Sequence, residues 1–264
     1  MAYQKRIIAT GTAFNIENNG DLVYIKTRNT GTNKIKVHTI SRESGFQKFI
    51  FQTGTVFDIE DNSTWLIQDY TGNGKADLIY IKTQNTGTGK IKVHIADAAS
   101  YYQQFMLQTG TIFDIEDNGV WTISAKGDLM YIKTCNTGTG KIEYYIASKE
   151  SQYQSFTKQV STDFAVEDNS TWCLAPRISS SQFASLYYIK IRNTGTNIVK
   201  AHAVSAQFEF KARLINTGTS FNLEDNGTWL MTNHLGDPQQ APDLTYIKTR
   251  ATSTNKIEVH INEA

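Results

Sequence analysis

The chain has 264 residues, 39% of them hydrophobic and 11% aromatic, which is enough to bury a substantial core. Its 26 Lys and Arg residues nearly balance 25 Asp and Glu residues, so the basic surface typical of nucleic-acid-binding proteins is excluded. No apolar run approaches the ~18 residues of a membrane span, and we predict neither nucleic-acid binding nor membrane insertion.

One sequence unit recurs five times in tandem, at intervals of about fifty residues. Each unit contains, in order, a Tyr-Ile-Lys segment, an Asn-Thr-Gly-Thr turn that degenerates in the last copy, an alternating run, and a segment that ends in Phe. Four Glu-Asp-Asn-x-x-Trp segments then join successive units. The Tyr residues that define repeats 1 to 5 are Tyr24, Tyr80, Tyr131, Tyr188 and Tyr246.

Each unit is predicted to form four antiparallel strands. In repeat 2 the predicted strands are 65–70, 77–83, 90–96 and 102–113. The Asn-Thr-Gly-Thr segment between the second and third strands predicts a hairpin, because Asn and Gly accept the positive φ that short turns require. Four strands in about fifty residues are typical of a propeller blade.

Repeat 1 lacks one strand, because Glu17-Asn18-Asn19-Gly20 runs directly into Asp21 without a Trp segment. The C-terminal residues supply two middle strands, and residues 3–14 are predicted to add the outer strand of the same blade. We therefore predict an all-β, five-bladed β-propeller of four-stranded blades, with N- and C-terminal strands sharing one blade. Residues 1–264 are predicted to form a single domain of five tandem repeats.

The segment from Trp65 to Leu78 resembles the FG-GAP/VCBS-type repeats of fungal and bacterial propeller lectins. This resemblance implies a propeller that binds sugars such as N-acetylglucosamine at several sites and performs no catalysis. Such repeats often hold calcium in Asp-rich turns, and only residues 69–77 approach that pattern. Because two carboxylates are a weak ligand set, we predict no cofactor, with one structural calcium near Asp69 and Asp77 as the alternative.

Period-two alternation places a Tyr, a Lys and a His of each repeat on one polar face, with Tyr145 replacing the His in repeat 3. The Glu-Asp-Asn-x-x-Trp segments add acceptors and an aromatic ring, a mixture that suits sugars. The candidate carbohydrate-binding residues are Lys26 and His38; Glu60, Asp61, Asn62, Trp65, Tyr80, Lys82 and His94; Glu116, Asp117, Asn118, Trp121, Tyr131 and Lys133; Glu167, Asp168, Asn169, Trp172, Tyr188, Lys190 and His202; and Glu224, Asp225, Asn226, Trp229, Tyr246, Lys248 and His260.

Structural alternatives stay open for each of these residue types. The Trp side chains could be core, the His side chains could satisfy backbone carbonyls, and Glu-Asp-Asn could be turn chemistry. A paired-carboxylate glycosidase is compatible with Glu60 and Asp61. However, an enzyme needs one asymmetric site, and these acids are spread evenly over the repeats, so we predict no enzyme.

The predicted function is a multivalent lectin that recognises terminal sugars such as N-acetylglucosamine on glycoproteins or cell surfaces. Up to four complete sites are expected at blade junctions, and the junction around residues 19–21 is expected to be impaired. Agglutination and fungal defence follow by analogy. The alternative is a protein-interaction propeller without sugar binding, and the oligomeric state is left open.

The expected location is cytoplasmic or non-classically secreted. Residues 1–10 lack the apolar segment of a secretory signal. Cys135 and Cys173 occupy unrelated positions in their repeats, which predicts free thiols rather than a disulfide framework. The glycosylation sequons at Asn62, Asn169 and Asn226 would carry glycans at the proposed sites in a secreted protein.

Overall fold

The computed structural model describes residues 6–12, 22–60, 63–116, 119–124, 126–167, 170–175, 185–205, 208–224, 227–232, 241–252 and 255–264. The chain divides into two compact units. One consists of Met1–Ala13, Thr134–Glu143 and Val160–Ala264, and the other of Phe14–Lys133 and Tyr144–Gln159. Within the described ranges, no helix has the length and hydropathy that a membrane span needs.

The strands of the described residues form five antiparallel sheets, numbered here after the repeats. Sheet 1 contains β2 (Leu22–Lys26), β3 (Lys34–Ile40) and β4 (Phe49–Asp58). Sheet 2 contains β5 (Ser63–Gln68), β6 (Asp77–Lys82), β7 (Lys90–Ala96) and β8 (Phe105–Asp114). Sheet 3 contains β9 (Gly119–Ile123), β10 (Leu129–Lys133), β11 (Lys141–Ala147) and β12 (Phe156–Ala165). Sheet 4 contains β13 (Ser170–Ala175), β14 (Ser185–Lys190), β15 (Ile198–Ser205) and β16 (Arg213–Asn222), and sheet 5 contains β17 (Gly227–Thr232), β18 (Asp243–Lys248), β19 (Ile257–Asn262) and β1 (Arg6–Thr12).

The sheets are the blades of a five-bladed β-propeller, which confirms the predicted all-β class and the number of blades. Sheet 5 has the order β1-β19-β18-β17, so a strand from each end of the chain shares one blade, as predicted. Ala9 lies opposite His260 in this pairing. Sheet 1 has three described strands, in agreement with the missing Trp segment of repeat 1.

The outer strand of sheet 2 begins at Phe105, three residues later than predicted, because a capped turn precedes it. The Asp97 carboxylate accepts a hydrogen bond from the backbone N–H of Ala99 and caps a short 3₁₀ helix, Ala98–Ser100. Tyr101 and Tyr102 then adopt positive φ angles of 56° and 60°, which no β-strand contains. Local side-chain capping thus delays the strand.

Alternation along the third strand of each sheet separates a core face from a polar face. In β7, Ile91, Val93 and Ile95 are fully buried, whereas Lys92 and His94 on the opposite face are partly exposed. The central strand β6 is buried along almost its whole length because one of its faces packs against sheet 3 and the other against sheet 1. This pattern brings the charged side chains of neighbouring strands together on one face, where the candidate site lies.

The hairpin turns contain the predicted left-handed residues. Asn29, Asn85, Asn136 and Asn193 all have φ close to 50°, and the Gly two positions later has φ near 70° in each turn. Asn and Gly tolerate this conformation, which explains the repeated Asn-Thr-Gly-Thr segment. In repeat 5, Ala251 adopts the same conformation with φ 53°, at a steric cost that Asn largely avoids.

Candidate functional site

A Glu–Tyr–Lys set recurs four times among the described residues, where the segment after an outer strand meets the next sheet. In repeat 2, the Tyr80 hydroxyl donates to Glu60 Oε2 at 2.7 Å, and Lys82 Nζ lies 2.6 Å from the same oxygen. Tyr and Lys are two residues apart on one strand, so they share a face. The equivalent Tyr and Lys distances to the Glu are 3.1 and 2.9 Å for Tyr131, Lys133 and Glu116, 2.5 and 2.8 Å for Tyr188, Lys190 and Glu167, and 3.1 and 2.9 Å for Tyr246, Lys248 and Glu224.

In repeat 2 these partners hold the Glu60 side chain in its carboxylate form. The hydrogen bond from Lys82 is the main cause that lowers the pKa of Glu60 below its usual value, and Tyr80 adds to it against the opposing effect of burial. The Lys82 side chain is 18% exposed, so the pair is partly screened by water. The set is therefore an anionic acceptor with fixed geometry, and it also joins one sheet to the next.

The predicted His side chains lie beside the Tyr of each set. The ring centroids of Tyr80 and His94 are 5.8 Å apart, and those of Tyr246 and His260 are also 5.8 Å apart. The remaining pairs are Tyr24 and His38 at 5.9 Å, Tyr188 and His202 at 5.4 Å, and Tyr131 and Tyr145 at 5.9 Å. The polar face predicted from alternation thus brings these rings together.

Burial lowers the pKa of His38, His94 and His202 below the ordinary value of 6.5, and nearby Lys or Arg side chains lower it further. For His94 the charges are Lys82 and Lys92, and its Nε2 atom is buried without a hydrogen-bond partner among the described residues. These three rings are therefore neutral near pH 7. Protonating them would place unsatisfied positive charge beside Lys side chains.

We expect the protein to lose stability as the pH falls below about 6.5, because the unfolded chain binds protons at these His residues more readily than the folded chain does. The urea midpoint at pH 5.5 should therefore be lower than at pH 7.5. The double variant His94→Gln, His202→Gln should show a smaller difference between the two pH values. A midpoint that rises on acidification in the native protein would contradict this assignment.

The Trp side chains of the candidate site are mostly core. Trp121, Trp172 and Trp229 are at most 4% exposed. Each ring stacks on the Tyr of its own repeat at 4.1 to 4.4 Å and meets a Phe edge-on at 4.9 to 5.2 Å. Trp65 is half-buried and lies 4.3 Å from Tyr80. This burial favours the core alternative, since a covered ring offers no face to a sugar.

The other predicted ligands of the Glu-Asp-Asn segments lie outside the described residues. They are Asp61, Asn62, Asp117, Asn118, Asp168, Asn169, Asp225 and Asn226.

The Asp69–Asp77 turn is organised by backbone N–H groups. Asp69 Oδ1 accepts from Gly72 and Asn73 at 2.7 and 3.0 Å, and Asp69 Oδ2 accepts from Gly74 at 2.9 Å. Asp77 is fully buried and accepts from the N–H groups of Tyr70 and Ala98. Burial raises the pKa of Asp77, so this carboxyl group serves the turn itself; the calcium alternative stays a prediction.

Repeat 5 departs from the other repeats around its Glu–Tyr–Lys set. Asn262, which is fully buried, replaces the apolar residue of the other repeats, and its Nδ2 donates to Ser220 Oγ at 2.7 Å. Ser220 itself stands where the preceding outer strands have Val56, Ile112 and Asp163. Repeat 5 is thus the only repeat with a polar residue at this place of its third strand. The apolar residues at the same place in repeats 1 to 4 are Ile40, Ala96, Ala147 and Val204.

Ser220 borders a cavity of about 170 Å³, which we call the repeat-5 crevice. Its lining residues are Ser220, Phe221, Asn222, Glu224, Tyr246, Lys248 and His260. The carboxylate, the ammonium and the imidazole of this repeat therefore meet at one small space. The volume is below the roughly 300–1,000 Å³ of drug-sized ligand sites, so the crevice is a small site.

A larger cavity of about 810 Å³ lies in the other unit and is lined by Tyr70, Met106, Asp128 and Lys149, among others. Lys149 Nζ lies 3.8 Å above the centre of the Tyr70 ring and donates to the Tyr70 carbonyl at 2.6 Å. This cavity is lined by no member of a Glu–Tyr–Lys set. We therefore place the candidate site at the smaller repeat-5 crevice.

Solved structures resemble this chain over nearly its whole length. The catalytic domain of the GH62 α-L-arabinofuranosidase of Coprinopsis cinerea matches 98% of this chain and 91% of its own, with a TM-score of 0.51 and 10% identity. The exo-β-1,3-galactanase of Clostridium thermocellum matches with a TM-score of 0.52 and 8% identity. The exo-β-1,3-galactanase of Phanerochaete chrysosporium matches with a TM-score of 0.51 and 8% identity. The fold is shared with glycoside hydrolases.

The matches cover 95% and 96% of this chain but only 61% and 64% of the two galactanases, so those enzymes are longer than the shared fold. No family model and no curated protein matches the sequence. At 8 to 10% identity, the likeness establishes the fold and carries no residue of the enzymes over to this chain. The resemblance to FG-GAP/VCBS-type repeats stays a prediction.

The prediction of a lectin that performs no catalysis is wrong in the light of these matches, because the three solved structures named above are an arabinofuranosidase and two galactanases. The prediction relied on the even spread of acids over the repeats. The repeats are not chemically identical, however, because Asn262 of repeat 5 replaces an apolar residue of the other four.

Ser220, Asn222, Glu258 and Asn262 were not predicted as site residues, because the prediction relied on residues that the repeats share. The sequence signal that could have identified some of them is a residue that differs between the repeats. Glu258 stands where three other repeats have lysine, and Asn262 stands where the other four repeats have an apolar residue.

Proposed function

We propose that the protein is a glycoside hydrolase that acts on a terminal sugar of a glycan in the repeat-5 crevice. The observation that carries this proposal is the cavity of about 170 Å³ in which Glu224, Lys248 and His260 meet. The fold shared with arabinofuranosidases and galactanases supports it. Such a small cavity favours release of a single terminal residue.

Glu224 is the acceptor in this proposal. Lys248 Nζ at 2.9 Å and the Tyr246 hydroxyl at 3.1 Å stabilise its carboxylate form. A carboxylate at this position can stabilise positive charge that develops at the anomeric carbon and can accept a proton from the attacking water.

His260 is the donor. The glycosidic C–O bond breaks with its electron pair on the leaving oxygen, and that oxygen takes a proton from the His260 imidazolium. Water adds to the anomeric carbon, and its proton goes to Glu224. Exchange with solvent then restores both groups, so the net reaction is hydrolysis of one glycosidic bond.

The remaining lining residues would bind the sugar hydroxyls. Ser220 and Asn222 supply a hydroxyl and an amide, each of which can donate and accept.

Hydrolysis of defined probes tests the proposal. We expect release of 4-nitrophenol from one 4-nitrophenyl glycoside in a panel that includes α-L-arabinofuranoside and β-D-galactopyranoside, and release of a monosaccharide from β-1,3-galactotriose or arabinan. Circular dichroism and thermal melting establish that the protein is folded. A folded protein that releases no product from any probe above the rate in buffer would overturn the proposal.

A further inference from the structure

The sequence of repeat 5 combines an acidic residue and a histidine on the polar face of its third strand, which no other repeat does. Glu258 precedes His260 by two residues. In repeats 1, 2 and 4 the equivalent residue is a lysine: Lys36, Lys92 and Lys200. Repeat 3 has the acid, Glu143, but Tyr145 in place of the histidine. The combination therefore separates one junction from all the others.

Glu258 and His260 are close and largely shielded from water. Glu258 Oε2 lies 3.4 Å from His260 Nε2, and the two side chains are 14% and 17% exposed. Glu258 faces Lys248 across the ladder, and His260 faces Tyr246. The ionisable groups around the imidazole are Glu258 on its own strand, Tyr246 and Lys248 on β18, and Glu224 beyond β16.

In repeat 2 the residue equivalent to Glu258 is Lys92, which has the opposite charge. Lys92 lies opposite Lys82, and both ammonium groups oppose a positive charge on His94. In repeat 5 the carboxylate of Glu258 instead lies 3.4 Å from the imidazole Nε2 and offsets a positive charge on the ring. Fixing one ring nitrogen of a histidine also sets its tautomer and its orientation.

We propose that Glu258 is a positioning residue that orients His260 in the repeat-5 crevice and so makes this junction the one that is competent in proton transfer. The role of His260 in hydrolysis rests on the proposed function. The effect of Glu258 on the His260 ring does not, and it can be measured without any substrate.

The test compares Glu258→Gln with Glu143→Gln, the same change at the equivalent place of a repeat without histidine. For Glu258→Gln we expect kcat on the cleaved 4-nitrophenyl glycoside to fall about 10- to 100-fold with little change in KM. The Glu143→Gln variant should keep the native kcat. Equal losses in both variants, or no loss in Glu258→Gln, would overturn the proposal.

Side-chain ¹⁵N NMR of the histidine rings gives the readout that is independent of activity. We expect Glu258→Gln to shift the His260 ring nitrogens while those of His94 and His202 stay unchanged. The reverse substitution, Lys92→Glu, should shift the His94 nitrogens toward the pattern of His260.

Unchanged His260 ring resonances in Glu258→Gln would overturn the positioning role of Glu258, even if kcat falls as expected in that variant. If the native protein hydrolyses no probe but the resonances shift as expected, the proposed function fails and the Glu258–His260 pairing stands.

Discussion

Replacing Glu224 with glutamine is expected to lower the rate of glycoside hydrolysis by about 10³-fold, within the 10²- to 10⁴-fold range typical of general acid–base catalysis. Gln keeps the size of the side chain and its ability to accept from Tyr246 at 3.1 Å and Lys248 at 2.9 Å. It removes the negative charge and the ability to take a proton from water. The loss should therefore fall on kcat.

The repeats supply a matched control for this change. Glu60→Gln alters the same set in repeat 2, where Tyr80 and Lys82 lie 2.7 and 2.6 Å from the carboxylate, and it should leave hydrolysis at the native rate. Both variants should lose similar stability in urea, since each loses one partly exposed charge pair. Equal loss of activity in the two variants would contradict the assignment of the site to repeat 5.

The fold could be predicted from the sequence because the repeats carry redundant local signals. Alternation in β7 fixes Ile91, Val93 and Ile95 on the core face, and the Asn85 turn fixes the hairpin before it. The sharing of sheet 5 by strands from both ends of the chain followed from the strand that repeat 1 lacks. Each inference needed only local chemistry that was repeated several times.

The site could be predicted only in part, because repetition cannot distinguish structural from functional residues. Tyr80, Lys82 and His94 do meet on one face with Glu60. The function inferred from their recurrence was wrong, since the asymmetry of repeat 5 lies in residues that depart from the pattern. From the sequence alone, Glu258 would be predicted to be an ordinary surface residue. Its proposed positioning role depends on the 3.4 Å distance between its Oε2 atom and His260 Nε2.

Replacing Trp229 with alanine is expected to cost about 3–5 kcal/mol in the free energy of unfolding, the range for a buried aromatic residue. Trp229 is 2% exposed, stacks on Tyr246 at 4.1 Å and meets the edge of Phe221 at 5.1 Å. The substitution would leave a cavity directly beneath two residues that line the repeat-5 crevice. Urea denaturation followed by circular dichroism measures this loss.

Two further variants show whether packing of the ring is the cause. Trp229→Phe should cost much less, because Phe keeps most of the aromatic contact and removes an indole N–H that has no hydrogen-bond partner among the described residues. Trp65→Ala should also cost less than Trp229→Ala, since Trp65 is only half-buried. A loss at Trp229 no larger than that at Trp65 would mean that the core of sheet 5 does not depend on this ring. Because Tyr246 rests on the indole and also donates to Glu224, the stability of that core and the geometry of the proposed acceptor are linked through one side chain.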